Sequence, residues 1–76
     1  MARLIVVAEY NTSNGVVGFM VAPDAQAAMQ MSERVRARGH IVAVGAINYE
    51  KSKEKAYLQL KQKLKEKLLE KAKAKI

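Results

Sequence analysis

Three segments of this chain are apolar at both their odd and their even positions, and no other feature constrains its fold as tightly. RLIVVAEY (residues 3–10), VVGFMVA (16–22) and IVAVGAINY (41–49) are rich in β-branched residues and read as strands. Successive side chains of a strand point to opposite faces of a sheet, so a strand apolar on both sets needs cover on both sides. A chain of 76 residues makes one domain and has few elements with which to supply two covers.

The connecting segments narrow the choice. NTSNG (11–15) separates the first two strands. Its Asn and Ser side chains favour local bonds to the backbone and Gly15 accepts a positive φ, so it predicts a hairpin loop. Gly18, inside the second strand, marks a bulge or a close backbone approach. Pro23 and Asp24 open a helix. Proline gives up an N–H that the first turn leaves unpaired, and aspartate sets negative charge at the positive helix end. Ala25, Ala28, Met29, Ser32 and Val35 share a face of mostly small side chains, which lets this helix approach a sheet closely. Arg34, Arg36 and Arg38 crowd its end, and Gly39 stops it. From residue 50 to the end, EKSKEKAYLQLKQKLKEKLLEKAKAKI contains no Gly or Pro and reads as a second helix that starts between 50 and 54.

The order is therefore β-β-α-β-α. A helix between the second and third strands favours a right-handed crossover with those strands parallel, and the hairpin makes the first two antiparallel. Placing the first, fully apolar strand at the centre gives the order 2-1-3. The expected fold is a small α+β domain with a three-stranded mixed sheet and a long basic C-terminal helix. Residues 1–49 make its ββαβ core. The first helix covers one face, and the other falls to residues 50–76 or to a second copy of the chain. Tyr57, Leu60, Leu64, Leu68 and Ala72 form a stripe at helical period, with Leu58 and Leu69 beside it. A helix over all of 50–76 spans about 40 Å, against about 25 Å for a compact domain of this size. Its first half is expected to pack and its last turns to project.

Several function classes find no support. There is no cysteine, and His40 is the only histidine, which reads as a cap or surface residue just past a helix end. Ser13, Ser32 and Ser52 lack a Gly-x-Ser-x-Gly setting. Asp24 and Glu33 fall on opposite sides of their helix, so they do not converge for acid–base work. One His, no Cys and scattered acids make no metal site, and no glycine-rich phosphate loop opens a helix. The chain is not expected to be an enzyme or to carry a cofactor. Its longest apolar runs fall far short of the roughly 18 residues of a membrane span, and Glu9 interrupts the N-terminal run. A soluble, cytoplasmic protein without a membrane partner is expected.

Charge is the strongest functional signal. The net charge is +7, and residues 50–76, with ten Lys against Glu50, Glu54, Glu66 and Glu70, carry +6 of it. Lys63, Lys67 and Lys71 form an i,i+4 row, with Lys61 and Lys65 beside the leucine stripe, and Lys73 and Lys75 follow. Arg34 and Arg38 share a face of the first helix and make a second patch. Each lysine is a point charge suited to phosphates and not to base edges. Four aromatics, with Phe19 in a strand that reads as buried, give little to a base-stacking surface. The leading expectation is a non-catalytic basic protein that binds RNA or DNA backbone, RNA favoured, within a ribonucleoprotein. Its rival is a structural or adaptor protein. That protein would form a homodimer or bind an acidic protein partner through an apolar sheet face or through Leu58, Leu64, Leu68 and Leu69.

Overall fold

A computed structural model describes residues 2–74. Its central strand, β1 (Ala2–Tyr10), pairs antiparallel with β2 (Val17–Ala22) on one side and with β3 (Ile41–Tyr49) on the other, in the order β2-β1-β3. β2 and β3 run in the same direction, as a crossover through α1 (Ala25–Ala37) requires, but β1 lies between them. The sheet expected to be mixed is thus antiparallel in both of its ladders. α2 (Lys53–Ala74) follows β3.

The two alternating sets of β1 face two different cores. Leu4, Val6 and Ala8, with Ile41 and Ala43 of β3, pack against Ala56, Leu60, Leu64 and Leu68 of α2. Ile5 and Val7, with Ala22 and Val42, pack against Ala28 and Val35 of α1. The doubly apolar strand is therefore covered on both faces within one chain, in three layers.

Local signals fix the ends of these elements. Gly15 takes φ 74°, and its N–H donates to the Asn11 carbonyl at 2.8 Å while the Asn11 N–H closes the hairpin on the Val16 carbonyl at 2.9 Å. The Asn11 and Asn14 side chains accept from the Ser13 and Val16 amides. Asp24 is the N-cap of α1, its Oδ1 accepting from the Ala27 amide at 2.7 Å. Pro23 stands before the cap and not in the first turn. Gly39, at φ 81°, follows the C-cap Arg38. Ser52 accepts the Lys55 amide at the start of α2.

Four expectations need correction. Gly18 makes no bulge: it pairs in register with Glu9, and a Cβ there would meet nothing within 4 Å. The close approach lies at Gly45, where a Cβ would fall 2.7 Å from Leu60 Cδ1 and 3.0 Å from Leu64 Cδ2. Met29 and Ala25 do not join the buried face of α1; Met29 is 63 % exposed. Phe19 is half-buried, because β2 is an edge strand that α2 barely covers.

The last correction concerns the end of α2. Packing does not stop at its midpoint: Leu68 is fully buried, Ala72 packs against the same core, and the Lys71 ammonium donates to the Val42 carbonyl at 2.9 Å. The domain is not round but measures 39 × 22 × 17 Å. A nine-residue strand is about 30 Å long and a 22-residue helix about 33 Å, so the helix lies along the sheet for most of its length.

Candidate functional site

Three elements end at one pole of the molecule. α2 turns back after only residues 50–52, so it runs antiparallel to β3 and delivers its last turns to the start of that strand. The start of β3 is also where α1 ends. Two basic segments far apart in sequence therefore meet. Arg36, His40 and Lys71 line one shallow depression, with Ile41, Val42 and Ala74 as its apolar wall.

The charges at this pole are not all free. Arg38 Nη1 lies 3.4 Å from Glu9 Oε2, and His40 Nδ1 donates to the same carboxylate. The His40 hydrogen bond first, and then the Arg38 charge, hold the Glu9 carboxyl below its usual value, against partial burial that pushes it up. The His40 and Glu9 side chains are only 15 % and 18 % exposed. Glu9 thus fixes the histidine ring from the β1 side, and the Thr12 hydroxyl reaches the Gly39 carbonyl at 3.5 Å. The turn between α1 and β3 is tied to the β1–β2 hairpin.

The expected site residues divide into groups. Lys61 and Lys65 lie on the flank of α2 that faces β2. The Lys61 ammonium sits 5.1 Å from the Phe19 ring centre and 5.7 Å from that of Tyr57. Lys63 and Lys67 are exposed on the opposite flank by helical periodicity. Lys71 belongs to the pole and is held by β3. Lys73 and Arg34 are exposed in the last turns of α2 and α1. Arg38 is at the pole but engaged by Glu9, so it makes no free clamp with Arg34. Lys75 lies outside the described residues. The lysines are therefore not one surface but two flanks and an end.

Sequence reasoning passed over Arg36 and His40 as site residues. Both were hidden by treating the basic clusters separately. The usable signal was the brevity of the link after β3, which sends α2 back toward the end of α1. Among the described residues, no group of three His, Cys, Asp or Glu side chains is placed to hold a metal ion. Among them, too, no helix is long and apolar enough to cross a membrane. No family model, curated protein or solved structure matches this chain.

Proposed function

We propose that this chain is a small non-catalytic protein that binds the phosphate backbone of nucleic acid in the cytoplasm, with RNA in a ribonucleoprotein as its first candidate. The observation that carries this reading is the convergence of Arg36, His40 and Lys71 around one depression, with Arg34 and Lys73 exposed in the adjoining helix ends. Arg36 and Lys71, cations from the ends of two helices on one concavity, suit a phosphate oxygen set, and the arginine can engage two oxygens at once. The apolar wall is too small for a base-reading surface, so binding is expected to be insensitive to sequence.

Anisotropy of a labelled mixed-sequence RNA, single-stranded and duplex, tests this at two salt concentrations. Neutralising about three phosphates should lower log K by roughly two to three for each tenfold rise in salt. The Arg36→Glu/Lys71→Glu double variant should lose at least tenfold in affinity, and Lys61→Glu/Lys65→Glu on the far flank less than threefold. Equal losses from the two variants, or no binding at low salt, would refute the reading.

A further inference from the structure

α2 does not sit centrally on its face of the sheet. Gly45 has no side chain, so Leu60 and Leu64 rest on the β3 backbone and the helix leans to that side. The other side of the same face is left open. Along β2, Val17, Phe19 and Val21 alternate toward α2, but Val17 and Phe19 are only partly buried against its core and Val21 is exposed. Two neighbouring depressions run between strand and helix. One is lined by Val17, Phe19, Leu58, Lys61 and Lys65 together with Gln62, and the next by Val21, Tyr57, Lys53 and Glu54. Val21 is 48 % and Leu58 56 % exposed.

The edge itself is unguarded. VGFMVA carries no charge and no proline, the two devices that most often block strand addition. Among the described residues, no side chain bonds a backbone group of β2. β3 is equally free of charge and proline, but Lys71 occupies its Val42 carbonyl, and Leu60 and Leu64 fill the space above it.

We infer that the β2 edge is a docking site for an extended, acidic segment of a partner protein, which adds to the sheet as a fourth strand beside β2. Side chains of an added strand on the α2 side recur every second residue, and the two depressions follow one another along β2, beside Val17 and Phe19 and then beside Val21, where such side chains would stand. Charge selects the occupant. Lys53, Lys61 and Lys65 border the groove against Glu54 alone, so the segment carries carboxylates among its apolar residues. A second copy of this chain is a poor fit. β2 offers no acid, and a two-fold axis through Phe19 would set Lys61, which lies over that ring, against Lys61 of the second copy. This inference does not depend on nucleic-acid binding, which uses the other end of the molecule.

The test is to pan a display library of random ten-residue peptides against the immobilised full chain, then record amide NMR spectra with the enriched peptide. Enriched peptides should alternate apolar residues and carry net negative charge. They should shift the amides of residues 17–22 and 58–65. Lys61→Glu/Lys65→Glu should weaken binding at least tenfold, and Lys63→Glu/Lys67→Glu on the opposite flank less than twofold. Arg36→Glu/Lys71→Glu, which tests the nucleic-acid site, should leave peptide binding within twofold. Failure to enrich any peptide would overturn the proposal. So would enrichment of neutral or basic peptides, shifts confined to β3, or a dimer of the chain alone that protects the β2 amides.

Discussion

On one face of the sheet α2 buries Ala56, Leu60, Leu64 and Leu68; on the other α1 buries Ala28, Ser32 and Val35. The first set consists mainly of leucines laid on a glycine. The second is small and includes a hydroxyl, which donates to the Met29 carbonyl at 2.8 Å one turn back. Small residues bring α1 near the sheet but give it little apolar surface to bury. Leucines bury more and hold α2 to one side. Neither helix therefore covers its whole face. α1 leaves Val44 and Ala46 of β3 exposed, and α2 leaves the outer half of β2. What each helix fails to cover is set by the size of the side chains it brings.

The largest test of this contrast is a pair of truncations. Leu64→Ala should cost about 3 kcal/mol, as buried leucines do, and Val35→Ala about 1.5 kcal/mol, the worth of the two methyl groups removed. Urea unfolding followed by circular dichroism reads both. Equal costs would mean that the two faces contribute alike and that the leucine layer is not the dominant one.

Two glycines sharpen the account of why α2 leans. Gly45→Ala drives a methyl into Leu60 and Leu64 and should destabilise by about 1–2 kcal/mol, the usual cost of overpacking. Gly18→Ala meets open space at an ordinary φ, and should be neutral or stabilise by about 0.5 kcal/mol through the unfolded chain. The same substitution on the two edge strands, under α2 at Gly45 and on the α1 side at Gly18, thus should differ in its effect. A smaller effect belongs to the α1 face alone. Asp24→Ala leaves the Ala27 amide without its cap and should cost about 1 kcal/mol, visible as a lower urea midpoint.

Much of this arrangement was legible in the sequence, for a definite reason. Doubly apolar β1 demanded two covers, and the chain has only two helices to give. Turn and cap residues then placed the boundaries, from Gly15 through Asp24 to Gly39. Gly45 and Gly18 were not distinguishable, because a glycine in a strand shows that space is tight only when its neighbour across the layer is known. The length of α2 misled for a different reason: a spherical estimate of domain size hides that nine-residue strands make an elongated sheet. The pole of Arg36, His40 and Lys71 stayed hidden because Arg36 and Lys71 belong to different helices and His40 to the turn between α1 and β3. Only the short link after β3 implied that these ends meet.

Glu9 offers the finest probe of that pole. It stands on the α1 side of β1, in register with Val42 of β3 and Gly18 of β2, and it holds His40 and Arg38. Its folded carboxyl titrates below the unfolded value, which lies near 4.5. The unfolded chain therefore binds this proton more readily, and the ion pairs add stability that is complete above the unfolded value. That contribution is lost as pH falls through the lower folded value. Arg38 is largely exposed, so the whole effect should be small, about 0.5–1 kcal/mol. Urea midpoints of the native chain and of Glu9→Gln should differ by this amount near pH 6 and converge as pH drops below 4.5. A gap that persists unchanged to pH 3 would show that Glu9 acts by packing alone. The positions of His40 and Arg38 would then have to be set by the helix end and the Gly39 turn, without help from β1.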